Sequence, residues 1–192
     1  EQLYESGQTE RAAQAFAHIA QTAPGGYSAV ARLQEADAMM AAGKTADALA
    51  LYKKIAAGDN QLLGEVARIH EAWGIADTAS RADLEKLLAP LTDANSAWHY
   101  SAREILAYWD YRDGQTAKAA GEYASLAAAH DVPSQLHERV AAMATFLKAG
   151  GDKNFGSVPP LPEDVAPAAA TGSASAAPAL PTPPTAQGPR KK

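Results

Sequence analysis

The sequence predicts an all-α solenoid of about four helical hairpins closed by one further helix, and three observations predict it. The stretch Ala31–Tyr52, ARLQEADAMMAAGKTADALALY, reads as two helices folded back on each other. Leu33, Ala36 and Met40 lie at helical spacing before the break at Gly43-Lys44, and Ala48, Leu49 and Tyr52 after it. The chain then rewrites this unit. VARLQEA at Val30–Ala36 returns as VARIHEA at Val66–Ala72, and Gly43, Ala48 and Tyr52 return as Gly114, Ala119 and Tyr123, preceded by Gly7, Ala12 and Phe16. Self-similarity at a period of about 36 residues is the mark of a helical repeat array. Finally, the composition is rich in Ala and poor in β-branched runs, which favours helix over strand.

The elements follow in order. A stump, EQLYES, precedes a helix expected over about Thr9–Thr22, with Ala12, Phe16 and Ile19 on one face. Pro24-Gly25-Gly26 ends it. Ser28 is the expected N-cap of a helix reaching about Ala42. Its partner is expected over Ala46–Ala57, and Gly58-Asp59-Asn60 closes the second hairpin. The third hairpin is degenerate. Its first helix, about Leu62–Ile75, keeps Val66, Ile69 and Trp73 on an apolar face, but Ala76–Ser80 stands where other copies have glycine. Its second, about Arg81–Pro90, carries Leu84, Leu87, Leu88 and, just beyond, Leu91. The fourth hairpin is expected over about Ala97–Arg112 and Thr116–His130. Pro133 then opens a helix ending at Gly150, half of a fifth repeat that would cap the stack. Residues 1–150 thus form the repeat domain. Residues 151–192, Pro/Ala-rich, bury too little apolar surface to offset ordering entropy and are expected to be disordered.

Composition narrows the function classes. The formal charge is −5, and there is no basic stripe of the kind phosphate neutralisation needs, so nucleic acid is not an expected partner. The chain contains no cysteine, which excludes disulfides, thiolate metal sites and cysteine nucleophiles. No apolar run approaches the roughly 20 residues of a membrane helix. The sequence opens at Glu1 inside a shortened hairpin, so an upstream segment is expected to be missing.

The unit Gly-x4-Ala-x3-Tyr/Phe resembles the tetratricopeptide repeat, in which the small residue lets two helices approach and the aromatic packs toward the next hairpin. A narrower resemblance covers about Gln8–Leu147. The segments APGGYSAVARLQEA, ADALALYKKIA, LEKLLAPL, HYSAREILAYWDYRDGQTAKAAGEY and VPSQLHERVAAMATFL look, in that order, like the tetratricopeptide-like periplasmic domain of ancillary SecYEG translocon subunits of the YfgM type. The resemblance implies a membrane helix before the domain and a position on the periplasmic side of the bacterial inner membrane. It also implies a scaffold or chaperone-like role with no chemistry and no cofactor. The implied partners are proteins or peptides: translocon components, periplasmic chaperones or exported chains. The Pro/Ala-rich end departs from the family. The alternative is a soluble cytoplasmic adaptor.

Arg32, Arg68, Arg103 and Arg139 recur once per first helix. Each falls near a second turn, where the helix dipole mildly disfavours a cation. The plainer expectation is an ion pair with Glu35, Glu65, Glu71 or Glu138. The functional one is a ladder of cations that grips carboxylates or carbonyls of a bound chain. If first helices line a concave surface, as in tetratricopeptide arrays, the groove would also contain Asp37, Met40, Ile75, Tyr108, Tyr111 and Arg112. Trp98, Tyr100 and Trp109 are expected to pack in the core or between repeats. Catalysis finds little support. His70-Glu71 and His137-Glu138 begin like a zinc-protease motif, but Gly74 and Ala141 stand where its second His belongs. No catalytic residue, metal ligand or cofactor site is expected.

Overall fold

In a computed structural model the chain is described at Leu3 and over residues 6–151. The calls on residues 1–5 other than Leu3, and on the Pro/Ala-rich segment after Gly151, lie outside the described residues. Within them the chain is all-α. The helices are α1 (Thr9–Thr22), α2 (Gly26–Ala41), α3 (Thr45–Ala56), α4 (Gln61–Ile75), α5 (Arg81–Leu88), α6 (His99–Arg112), α7 (Thr116–Ala128) and α8 (Ser134–Lys148). A 3₁₀ turn, Ala89–Leu91, extends α5. Observed boundaries fall within a few residues of those expected from the pattern.

The turns have legible causes. Gly43 and Gly114 adopt φ of 76° and 80°, a left-handed conformation that any side chain would strain. At Gly43 the amide donates to Met40 and the next amide, Lys44, reaches back to Met39. Gly114 and Gln115 repeat this on Tyr111 and Asp110. Both sets are Schellman closures that satisfy the last carbonyls of a helix. Asn60 caps α4, accepting from the Leu63 amide at 3.1 Å, and Ser80 caps α5 from Asp83 at 3.2 Å. Ser28 does not cap α2, contrary to expectation. The helix starts two residues earlier at Gly26, and the Ser28 hydroxyl donates instead to the Ala20 carbonyl of α1 at 2.5 Å.

Each helix packs on its neighbour in sequence, and α2, α4 and α6 also touch in succession. Apart from the longer connection between α5 and α6, the short loops make consecutive helices antiparallel. The contacts run through alanine. Ala36, Ala48, Ala67, Ala72, Ala102, Ala107 and Ala119 are all fully buried, so the helix axes can approach closely. Larger side chains fill what remains: Leu84, Leu88, Leu91, Ile105 and Trp109 around α5, and Tyr123, Leu126, Leu136, Val140 and Leu147 between α7 and α8. Two apolar-face expectations fail here. Ile19 and Trp73 are 42% and 38% exposed. The stripe that α4 buries follows Ala67, Ile69, Ala72 and Ala76, and Trp73 rides at its edge.

The glycine-less bend after α4 is held from outside. Four side chains of α6 reach it. Tyr108 Oη donates to Asp77 at 2.7 Å, and Trp109 Nε1 donates to the Ala79 carbonyl at 2.9 Å. Arg112 donates to the carbonyls of Ala76 and Ala79. Asp110, fully buried, accepts from Arg81 at the start of α5 and, at 3.1 Å, from Lys118 of α7. The Arg112 cation also complements the negative end of α4 and stacks 5.1 Å from the Trp109 ring.

If the small-residue crossings set the helix spacing, Ala119→Leu should overpack the α6–α7 contact. The expected loss is about 1–3 kcal/mol in urea unfolding with the far-ultraviolet spectrum retained. An unchanged midpoint would mean the helices have slack there.

Candidate functional site: an aromatic trough across the first helices

Successive first helices place aromatic and thioether side chains side by side. Trp73 of α4 lies against Tyr108 of α6, ring centroids 5.6 Å apart. Tyr111, one turn further along α6, meets Phe146 of α8 edge-on at 6.3 Å. With Met143 these line one trough, and all of them are partly exposed. The backbone of Gly151 supports its far end, since a Cβ there would come within 2.3 Å of the Phe146 ring.

The polar side of the trough is an ion pair. Glu104 of α6 is 2% exposed. Arg139 of α8 donates to its two oxygens at 2.5 and 2.6 Å, a bidentate clasp. That clasp holds the guanidinium pKa above its ordinary value, against the cost of burial. Burial, reinforced by the nearby Glu104 charge, pushes the Tyr123 phenol well up, so it stays neutral. The hydrogen bond to Asp77, together with burial, raises the Tyr108 phenol too.

Trp73 also borders a second hollow, with Met40, Tyr52, His70 and Gly74. The Met40 methyl lies on Gly74, where a Cβ would sit 2.8 Å from it. Beneath, Asp37 Oδ1 accepts from Tyr52 Oη at 2.6 Å and lies 2.6 Å from His70 Nδ1. Asp37 and Met40 are expected in a groove; Met40 lines this hollow and Asp37 is bound to its His70, a residue the sequence offers only as part of a failed metal motif.

The other expected site residues are divided. Tyr108, Tyr111 and Arg139 meet in the trough. Arg68 and Ile75 line a separate depression beside Lys53, Glu71 and Leu87. Arg112 is consumed by the bend after α4. The arginine column is not uniform: Arg103 pairs with Glu122 at 2.9 Å, and Arg68 makes only a 3.5 Å contact with the Ala56 carbonyl. Arg103 and Arg139 reach across to acids of other helices, Glu122 and Glu104, whereas the charges of Arg32 and Arg68 act on Glu35 and Glu71 of their own helices, two of the acids expected. Met143, Phe146 and Trp73 were missed. For Trp73 a signal existed: it flanks the small-residue stripe of α4, so its ring cannot enter the crossing.

Among the described residues no three His, Asp or Glu are placed to hold a metal ion, and no helix is long and apolar enough to cross a membrane. No family model, curated protein or solved structure matches the chain.

Two predictions follow from the buried acids. Arg139→Met strands the Glu104 charge and should cost about 3–5 kcal/mol by urea unfolding. Leu33 occupies the position of Glu104 in the earlier repeat copy, so Glu104→Leu added to Arg139→Met should recover most of that loss; a double variant as weak as the single one would contradict this. Glu71 behaves differently. Burial raises its carboxyl above 4.5, with Lys53 and Arg68 offsetting part of the shift. The folded state therefore holds this proton more tightly than the unfolded chain, and the contribution present below the unfolded pKa is lost as pH rises through the folded one. The stability of Glu71→Gln relative to wild type should accordingly be greater near pH 7 than near pH 4. A gap that stays constant across this range in chemical unfolding would show that Glu71 carries no such linkage.

Proposed function

We propose that this protein is a non-catalytic interaction scaffold, a tetratricopeptide-like α-solenoid whose trough holds a segment of a partner protein. One observation carries the reading: Trp73, Tyr108, Tyr111, Met143 and Phe146, drawn from three successive first helices, stand together and partly exposed. Aromatic rings and a thioether give large contact area at low entropic cost, the chemistry of binding hot spots. The Glu104–Arg139 pair adds a fixed dipole on one wall. An extended chain lying across these helices would bury its apolar side chains on the rings.

The resemblance of the sequence to the YfgM-type domain supports a position for such a scaffold on the periplasmic side of the inner membrane, with translocon components, periplasmic chaperones or exported chains as the proposed partners. Crosslinking from native membranes with a photoreactive residue at position 111 tests this. Recovery of translocon subunits or exported chains supports it, and recovery of cytosolic proteins alone argues for the soluble adaptor. With a recovered partner in hand, Trp73→Ala with Tyr111→Ala should weaken binding at least tenfold while helicity is kept, since buried aromatic anchors contribute on the order of 2 kcal/mol each. Undiminished binding would remove the trough from the mechanism.

A further inference from the structure

The repeat that begins at α2 and the one that begins at α6 are related by a shift of 71 positions, which carries Gly43 onto Gly114 and Tyr52 onto Tyr123. The shift also carries Arg32 onto Arg103. In the later copy the surroundings of that arginine are closed by the chain itself. Tyr100, 9% exposed, fills the space and donates its hydroxyl to Asp131. Arg103 donates to Glu122 at 2.9 Å and to Ser125 Oγ at 3.1 Å. Leu126 lies fully buried among the apolar side chains of the same copy.

In the earlier copy the arginine is kept, but four of the groups around it are replaced. Ala29 stands for Tyr100, Leu51 for Glu122, Lys54 for Ser125 and Asn60 for Asp131. The ring is gone, both carboxylates are gone, and a second cation has been added. These four positions, with Arg32, Ile55 and Leu63, now line an open pocket between α2, α3 and the start of α4. Arg32 is exposed and makes no hydrogen bond or ion pair with the described residues, although its charge acts on Glu35. Lys54 is likewise without a hydrogen-bonded partner among the described residues. Asp59 is the only acid in the lining. Asn60 is already spent as the cap of α4.

We propose that this pocket, distinct from the aromatic trough, binds an aromatic residue flanked by carboxylates on an acidic segment of a partner protein. The later copy supplies the template. The guest ring takes the place of Tyr100 over Ile55 and Leu63. One guest carboxylate takes the place of Glu122 on Arg32, and the other meets Lys54. Charge complementarity selects the partner: two cations and an apolar floor reject basic segments and gain little from neutral ones.

Titration of the isotope-labelled protein with acetyl-Asp-Tyr-Glu-amide, followed by amide chemical shifts, tests this. Saturable shifts are expected around Ala29, Arg32, Lys54 and Asn60. The neutral analogue acetyl-Asn-Tyr-Gln-amide and the ringless acetyl-Asp-Ala-Glu-amide should each bind at least about tenfold more weakly. Arg32→Ala, a change at an exposed position, should weaken the acidic peptide by a similar factor. Ala29→Tyr with Leu51→Glu closes the pocket as in the later copy and should abolish the shifts, with resonances of the later repeat unmoved. Equal binding of the three peptides, no saturation, or undiminished binding to Arg32→Ala would overturn the proposal. Shifts centred on Trp73 and Tyr111 would also overturn it, while leaving the trough reading standing.

Discussion

Close approach of helices at alanine is the constraint on which the rest of this molecule depends. Ala36, Ala48, Ala67, Ala72, Ala102, Ala107 and Ala119 lose all of their accessible surface, yet each buries far less apolar area than a leucine in the same place. The hydrophobic return per residue is therefore modest, and large side chains are confined to the spaces beside the crossings. Two consequences follow. Polar ties between helices gain importance, because less packing is available to hold orientation. Bulky side chains that flank a crossing, Trp73 above all, are left at the surface because the gap cannot admit them.

The ties are placed where packing is thinnest. The helix α5 has only eight residues, and the bend before it lacks the left-handed glycine that closes the second and fourth hairpins. Tyr108, Trp109 and Arg112 of α6 instead hold the bend through the Asp77 side chain and the carbonyls of Ala76 and Ala79, and Asp110 adds Arg81 and Lys118 to the same knot. Removing a partner from so buried an acid would leave an uncompensated charge. A buried pair of this kind adds little net stability over an apolar one; what it fixes is which bend meets which helix.

Most of the all-α fold could be read from the sequence because its determinants are local: glycine at Gly43 and Gly114, and apolar residues every three or four positions. Ser28 shows the limit. A serine at a plausible cap position was outcompeted by a helix that began at Gly26, and nothing local said so. The candidate site was legible in part for the same reason. Tyr108, Tyr111 and Arg139 could be placed on first helices by counting, but which face those helices show depends on tertiary crossing angles. Arg112 counts onto the same helix as Tyr108 and Tyr111, yet it serves the preceding bend. His70 could not be tied to Asp37 without knowing that α2 and α4 lie side by side.

The two repeat copies solve the same packing problem with different chemistry, and the differences are concerted. In the later copy Glu104 replaces Leu33 while the arginine that faces it, Arg139, stays at the position of Arg68. The guanidinium is then bound bidentately, whereas Arg68 makes a long contact with a carbonyl and acts at a distance on Glu71. Tyr100, Glu122 and Asp131 are likewise present together in the later copy and absent together in the earlier one. Tyr100 is the member whose loss would open a hole, since it is nearly buried, while Glu122 and Asp131, the partners of Arg103 and of the Tyr100 hydroxyl, are more exposed. Around its arginine the later copy spends its polar groups on itself, while the earlier copy keeps its cations and apolar floor turned outward. Repetition thus gives one backbone two electrostatic characters, one suited to holding the stack and one left available at the surface.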